Sequence, residues 1–161
     1  MLIQVFIQNE AGSNRKNYHD EKTLQYKFTK LVSRPYPYPY GFIIGTTAAD
    51  GGNLDCFVIT GRPLKAGEIV ECEPIALMEQ FEDGVDDHNV LARVAGEEAA
   101  ITPMIQDALT EFVLNVFSHI AGKQIAAGEF LGAAQAEAHI HAHTDARGRG
   151  KADPSSLRSS G

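Results

Sequence analysis

Two pairs of acidic residues share one spacing and lie next to apolar stretches of the chain. Asp50 and Asp55 precede and open the apolar stretch 55–60, and Glu82 and Asp87 follow the apolar stretch 68–77. Hard divalent cations such as magnesium take oxygen ligands, which carboxylates at the ends of two neighbouring strands supply. The two pairs therefore predict a divalent metal site that joins two distant parts of the sequence.

Each acidic pair also has a simpler interpretation. Asp50 with Gly51, Gly52 and Asn53 could form a tight hairpin turn, because these residue types supply the required dihedral angles. The carboxylates between residues 79 and 87 could form a solvated acidic loop, the usual state of such a run. A metal site requires instead that the carboxylate oxygens approach to roughly 4–5 Å, since metal–oxygen distances are about 2.1 Å.

The elements that must position these residues are mostly short strands. Apolar stretches separated by turns rich in Gly, Pro or Asp predict strands at residues 2–8, 24–29, 40–46, 55–60, 68–77 and 90–94. Several short strands at this spacing favour a closed or partly closed barrel over a parallel sheet with crossover helices.

The pattern becomes helical after Thr102. Thr102 can cap a helix that starts at Pro103, carries apolar residues at helical spacing and stops at Gly122. This helix should cover the side of the barrel, and a second, alanine-rich helix is predicted from about Glu129 to Ile140. The expected fold is mainly β with α: one domain over residues 1–143 and a flexible tail at 144–161.

Composition excludes several classes of function. The 161 residues carry a net charge of −7, which disfavours binding to nucleic acid, so an oligonucleotide-binding barrel fits the fold but not the charge. No stretch approaches the roughly 18 apolar residues that span a bilayer, and the N-terminus lacks a secretory signal. We expect a cytoplasmic protein with no membrane partner, and Cys56 and Cys72 as buried thiols.

Residues 12–122 resemble the soluble (family I) inorganic pyrophosphatases, most strongly over 36–94. The motif Tyr40-Gly41-Phe42-Ile43, the connecting stretch 63–77 and the two acidic pairs carry the resemblance. It implies an OB-like five-stranded barrel with a cleft at its mouth. There, magnesium ions held by aspartates would shield the charge of pyrophosphate and activate the attacking water.

The resemblance also implies a role for individual residues. The metal ligands would be Asp50, Asp55, Glu82 and Asp87, and Asp55 and Tyr40 would be catalytic. Lys16, which ends a Gly-Ser-x-x-Lys match at residues 12–16, would bind substrate phosphate together with Lys30 and Tyr40. Members of the family assemble as homo-oligomers, so self-association is expected, with Phe112, Val113 and the Tyr-Pro stretch 36–40 as candidate contacts.

The sequence departs from the family pattern in three places. Gly52 stands where the family has the aspartate associated with water activation, Asn89 replaces a lysine, and Phe117-Ser118 lies where a Tyr-Lys pair is expected. Two functions follow. One is magnesium-dependent hydrolysis of pyrophosphate by a divergent enzyme; the other is an inactive barrel that binds diphosphate or metal, or serves as an oligomeric scaffold.

A histidine run near the end of the second predicted helix could be either a metal site or a solvated helix end. His139, His141 and His143 could chelate a transition metal if the chain were extended there. Residues two apart on a helix do not face each other, so a solvated helix end is expected instead.

Overall fold

The structure, a computed structural model, describes residues 1–146, which form nine strands and two helices. In chain order they are β1 (Ile3–Asn9), β2 (Arg15–Asp20), β3 (Gln25–Leu31), β4 (Tyr40–Ile43), β5 (Asp55–Val58), β6 (Ile69–Glu82), β7 (Val85–Asp86), β8 (Asn89–Val94), α1 (Pro103–Asn115), β9 (Ile125–Gly132) and α2 (Ala133–Ala142).

Five of these strands close into a barrel. Their order is β1-β4-β5-β8-β6, and β6 pairs back onto β1 through the register Val5↔Val70. The pairing of β5 with β8 is parallel, whereas the other barrel pairings are antiparallel. The predicted mainly-β fold, a five-stranded barrel with helices after it, is therefore confirmed.

The barrel interior is the main apolar core. On β5, Cys56 and Val58 face inward, while Phe57 between them joins a second apolar cluster outside, as expected from the period-two alternation of a strand. Residues of α2 extend the inner core, and residues of α1 pack in the outer cluster. Both cysteines are buried free thiols, as predicted. The inner core includes Val5, Ile7, Ile43, Val90, Ala92 and Ile140.

The glycine of the Tyr-Gly-Phe-Ile motif has a packing role. Gly41 on β4 lies directly against the β1 backbone, and a Cβ at this position would overlap the carbonyl oxygen of Phe6. A residue with a side chain would force β1 and β4 apart. The motif therefore supports barrel closure as well as placing Tyr40.

Helix α1 begins as predicted and ends earlier. The Thr102 hydroxyl accepts the Ile105 N–H at 3.3 Å, and Pro103 occupies the first turn. The helix stops at Asn115 instead of near Gly122, because Ser33 donates its hydroxyl to the carbonyl groups of Asn115 and Val116. These carbonyl groups are thus hydrogen-bonded to a residue outside the helix, and the chain leaves the helical path after Asn115.

The second predicted helix is wrong over its first turn. Glu129 to Gly132 belong to strand β9, and α2 covers Ala133–Ala142. The extended edge of β6 offers unpaired backbone groups, and pairing with them outweighs the helix propensity of the alanine-rich segment. Gly128 permits the close approach, since a Cβ there would lie 2.7 Å from Cβ of Glu79.

A hairpin replaces the single strand predicted near residue 26. Strands β2 and β3 form a separate two-stranded sheet, in which Tyr18 stacks on Phe28 with ring centroids 4.6 Å apart. Strand β2 has the sequence RKNYHD, which lacks an apolar alternation. Its pairing with β3, a tertiary feature, makes it a strand.

The boundary between domain and tail stays a prediction. Thr144, the first residue of the predicted tail, forms a bridge with Thr46, and the Asp145 N–H donates to the Gly45 carbonyl at 2.9 Å. Residues 147–161 lie outside the described part of the chain. Within residues 1–146 no helix is long and apolar enough to cross a membrane.

The packing of α1 predicts a large difference between two leucines on the same helix. Leu109 is fully buried, whereas Leu114 is 44% exposed. Leu109→Ala should lower the free energy of unfolding by about 2–5 kcal/mol, because it leaves a cavity in the outer cluster. The matched change Leu114→Ala should stay within about 0.5 kcal/mol. Urea denaturation of both variants measures the difference, and equal effects would contradict the packing described.

Candidate active site

A cavity of about 260 Å³ lies between the barrel, the β2–β3 hairpin and α1. Its lining combines acidic, basic and phenolic side chains from distant parts of the sequence. The carboxylates are Glu21, Asp50, Asp55, Glu82 and Asp87; the ammonium groups are Lys16 and Lys123; the phenols are Tyr18, Tyr36 and Tyr40.

The parallel pairing of β5 with β8 brings the two acidic pairs together. Asp55 opens β5 and is in register with Asn89, which opens β8, so Asp87 lies two residues before the paired position. Glu82 ends β6, and the Asp87 N–H donates to the Gln80 carbonyl on that strand at 2.8 Å. The two distant acidic segments therefore line one cavity.

Asp50 both stabilises the turn between β4 and β5 and lines the cavity. Gly51 has φ +92°, and the Gly52 N–H donates to Asp50 Oδ1 at 2.9 Å, which is the tight turn predicted for this sequence. The Asp50 side chain nevertheless lines the cavity. The structural and the functional interpretation of this turn are therefore compatible.

Burial and nearby negative charge raise the pKa of three of the cavity carboxyl groups. Burial, followed by the nearby Asp87, raises the pKa of Asp55 from 3.8 to about 8. Burial and the nearby Glu82 raise the pKa of Asp87 to about 6, and burial also raises the pKa of Glu21. Burial lowers the pKa of Lys16 despite the surrounding carboxylates. The cavity thus has a deficit of positive charge.

The carboxylates fit a hard cation without forming a complete cage. Within residues 1–146, no three Asp, Glu, His or Cys side chains are grouped closely enough to hold a metal ion. A coordination sphere made of three or more protein ligands is therefore not preformed. Magnesium ordinarily takes one or two carboxylates together with water and substrate phosphate oxygens, which suits an arrangement of this kind.

A family model described as inorganic pyrophosphatase matches residues 5–146. The chain belongs to this family. The match covers the barrel except the first two residues of β1, both helices and every carboxylate that lines the cavity. Membership assigns the chain to a class of enzymes, the inorganic diphosphatases.

Individual relatives agree with the family model. The inorganic pyrophosphatase of Buchnera aphidicola is 31% identical over 126 residues, or 73% of this chain and 72% of that protein. That of Nanoarchaeum equitans is 32% identical over 148 residues, or 85% and 92% of the two chains. The match to the Synechocystis protein spans 54% of that relative, at 36% identity. The Thermus thermophilus inorganic pyrophosphatase structure superimposes with a TM-score of 0.81 at 23% identity, covering 88% of each chain, and shares the fold.

Lys16, the predicted phosphate ligand, lies among aromatic rings at the cavity. Its Nζ lies 5.1 Å from the ring centre of Tyr18, 5.5 Å from that of Tyr40 and 5.8 Å from that of Phe117. Burial raises the pKa of Tyr40, so its hydroxyl stays protonated and can donate a hydrogen bond. Lys16 and Tyr40 both line the cavity.

Lys30 is placed differently from the sequence expectation. It pairs with Lys16 in the hairpin register, but its Nζ lies over the rings of Phe28 at 5.6 Å and Tyr18 at 5.9 Å. Lys30 is exposed and is absent from the residues that line the cavity. Its assignment to phosphate therefore lacks the geometric support that Lys16 has.

Asn89, which replaces a family lysine, orients a carboxylate. The buried Asn89 side chain donates to Gln80 Oε1 at 2.6 Å, and Gln80 Nε2 donates to Asp87 at 3.4 Å. This relay supplies no positive charge. Its effect is to fix the side chain of Asp87 at the edge of the cavity.

Two charged residues that line the cavity, Lys123 and Glu21, carry no motif in the sequence. Lys123 lies 3.1 Å from Glu82 Oε2 and places its ammonium 4.4 Å from the ring centre of Phe117, in the region where the expected Tyr-Lys pair is lacking. Its position after Gly122, which has φ +83°, is the one local signal of a turn back toward the barrel. Glu21 lies on the turn between β2 and β3, which was not recognised as a hairpin.

The histidine run forms a small cluster that its alternation does not predict. His139 and His143 lie one helical turn apart with ring centroids at 4.6 Å, and His139 is 5.6 Å from the ring of His88. His141 is exposed, as expected of a solvated helix end. His139 and His143 are half-buried, and burial lowers the pKa of His139 to about 4.

The raised pKa of Asp55 predicts how stability depends on pH in the metal-free protein. The folded carboxyl keeps its proton up to a pH of about 8, whereas the unfolded chain releases it near 3.8. Unfolding therefore releases a proton between these values, and the free energy of unfolding should fall as the pH rises through this range. Asp55→Asn should reduce the slope, and Asp107→Asn on the exposed face of α1 should not.

Chemical denaturation in EDTA at half-unit pH steps measures this dependence. A stability that rises between about pH 5 and pH 8, or an unchanged slope in Asp55→Asn, would contradict the charge balance described for the cavity.

Proposed function

We propose that this chain hydrolyses inorganic pyrophosphate to two phosphate ions and uses magnesium to do so. The observation that carries the proposal is the cavity in which five carboxylates face two lysines. A tetra-anionic substrate cannot enter a purely anionic pocket, and this one offers both oxygen ligands for a cation and ammonium groups for phosphate. Family membership supports the same reaction.

The carboxylates are assigned to the cofactor. Asp50, Asp55, Glu82 and Asp87 would hold magnesium. The bound ion would neutralise phosphate charge and lower the pKa of the attacking water. The elevated pKa values of Asp55 and Asp87 are consistent with this role, since ligation replaces the proton that each carboxyl otherwise retains.

The remaining polar groups act on the substrate. Lys16 and the Tyr40 hydroxyl bind phosphate oxygens, and Lys123 neutralises the charge that grows on the departing phosphate. In the reaction a water oxygen bonds to one phosphorus as the bond from that phosphorus to the bridging oxygen breaks. The bridging oxygen leaves with the second phosphate.

The alternative is an inactive barrel that binds diphosphate or metal. The observations in its favour are Gly52, which has no carboxylate, and Asn89, whose amide is used within the protein. Calorimetry with magnesium and a non-hydrolysable diphosphate separates the two functions. Tight binding without turnover identifies a binding module, and absence of both identifies a scaffold.

Self-association and a cytoplasmic location are further proposals. Phe112 and Val113, the expected oligomer contacts, are 5% and 3% exposed, and Tyr36 is 2% exposed. These three side chains are buried within one chain, whereas Pro37 and Tyr38 of the same stretch are half-buried and stay candidate contacts. Light scattering at two protein concentrations tests the association.

The first test of the function is phosphate release from pyrophosphate with magnesium. The unaltered chain should release phosphate, and Asp55→Asn should lose at least roughly 10-fold in kcat/KM, the lower bound for disturbed metal ligation. Asp107→Asn, at an exposed residue that does not line the cavity, is the control. A rate equal to that without enzyme, at high protein concentration, rejects the proposed reaction.

A second test separates the two lysines of the hairpin. Lys16→Met should weaken diphosphate binding by about 10- to 100-fold, because a charge-assisted contact contributes about 1.5–3 kcal/mol. Lys30→Met, the same substitution on the neighbouring strand, should change binding less than about threefold. Calorimetry in magnesium measures both, and a larger loss from Lys30→Met would restore the sequence-based assignment of that residue.

A further inference from the structure

Glu21 reaches from the hairpin to the loop that carries Asp50. It lies on the turn after β2, and its Oε1 accepts the backbone N–H of Asn53 at 2.6 Å. The carboxylate lines the same cavity as the four predicted metal ligands. Glu21 is separated from Asn53 by 32 positions in sequence, so only the fold brings them together.

The neighbouring lysine fixes this contact. Lys22 Nζ donates to the Thr46 carbonyl at 2.9 Å, to Thr47 Oγ1 at 2.9 Å and to Asn53 Oδ1 at 2.7 Å. Asn53 itself is buried and donates to the Ile43 carbonyl at 3.0 Å. Lys22 therefore holds the hairpin turn to the loop, and Glu21 has a defined position rather than that of a free surface glutamate.

The carboxylate of Glu21 occupies the space beside Gly52. A Cβ built on Gly52 would lie 3.1 Å from Glu21 Oε1 and 3.4 Å from Asp50 Oδ1. A side chain at position 52 would thus point at the place where Glu21 puts its oxygens. Position 52 of the loop carries no carboxylate, and the carboxylate of Glu21, from the hairpin turn, lies beside it.

We propose that Glu21 is a catalytic residue whose carboxylate accepts the proton of the attacking water, from the space that a side chain at position 52 would fill. The inference rests on the proposed pyrophosphate hydrolysis. The water oxygen bonds to phosphorus, its proton passes to Glu21 Oε2, and the bridging oxygen leaves with the second phosphate. The proton then moves to solvent, which regenerates the carboxylate.

The position of Glu21 beside Gly52 favours it for this step, because the other four carboxylates are assigned to the metal. Asp50, Glu82 and Asp87 each engage one oxygen, with the Gly52 N–H, Lys123 and Gln80. Glu21 commits only Oε1, and within residues 1–146 its Oε2 has no hydrogen-bond partner. One oxygen thus orients the group while the other is open to water, which is the geometry a general base needs.

The test changes positions 21 and 52, singly and together. Glu21→Gln keeps the acceptor for the Asn53 N–H but cannot take a proton, so kcat should fall by about 10²–10⁴-fold with little change in KM. Gly52→Asp adds a carboxylate beside Glu21 and should lower activity through repulsion. In the double variant the introduced glutamine amide can donate to the introduced aspartate, and kcat should rise at least about tenfold above that of Glu21→Gln.

Binding measurements give a readout that is independent of turnover. Calorimetry with magnesium alone should give affinities within about threefold for the unaltered chain and Glu21→Gln, because a proton acceptor does not ligate the ion. Thermal unfolding should show that Glu21→Gln is folded. Glu98→Gln, at an exposed glutamate outside the cavity, is the matched control for the same substitution.

The outcomes distinguish this proposal from the function on which it rests. No turnover by the unaltered chain rejects both. Turnover that survives in Glu21→Gln rejects only the role of Glu21, as does a double variant no faster than Glu21→Gln. A loss of magnesium affinity of about tenfold in Glu21→Gln also overturns the assignment, because it makes Glu21 a metal ligand instead of a proton acceptor.

Discussion

Repulsion among carboxylates in a partly desolvated cavity is the constraint on which the site depends. The parallel pairing of β5 with β8 forces the acidic ends of two segments to the same edge of the barrel. Five carboxylates then share one cavity, where burial and nearby negative charge raise the pKa of Asp55, Asp87 and Glu21. Such an arrangement has a strong preference for cations, which either the lysines of the cavity or a bound metal ion can satisfy.

The barrel provides the rigidity that keeps these groups together. Closure of β6 onto β1 leaves no free edge within the five barrel strands, and the apolar core fills the interior. The cavity lies outside this core, against the outer cluster that α1 builds with Phe57 and Leu91. Charged groups are therefore positioned by a scaffold whose stability comes from burial of apolar surface elsewhere.

Groups from other elements lie beside two of the departures from the family motifs. Lys123 brings an ammonium to the neighbourhood of Phe117, where the motif lacks one, and pairs with Glu82. Glu21 brings a carboxylate to the empty side of Gly52. In both cases the charged group lies on or next to a turn that is not part of the motif. The motif by itself therefore shows only that the family residues are absent.

Local pattern was sufficient to predict much of the barrel. The apolar stretches of β5 and β8, the glycine and proline turns and the cap at Thr102 act over a few residues, so they can be recognised in one sequence. The strands β2 and β9 could not be predicted in this way. Their residues are polar or alanine-rich, and each becomes extended because a partner strand, β3 or β6, satisfies its backbone groups.

For the site, the types of residue and their spacing determined that Asp50, Asp55, Glu82 and Asp87 could serve a hard cation, since carboxylate chemistry is a property of the side chain. The tertiary structure alone decided that Glu21 and Lys123 join them and that Lys30 does not line the cavity. Such neighbours are set by strand register and by turns between elements. Both depend on contacts between residues far apart in the chain, which no local pattern records.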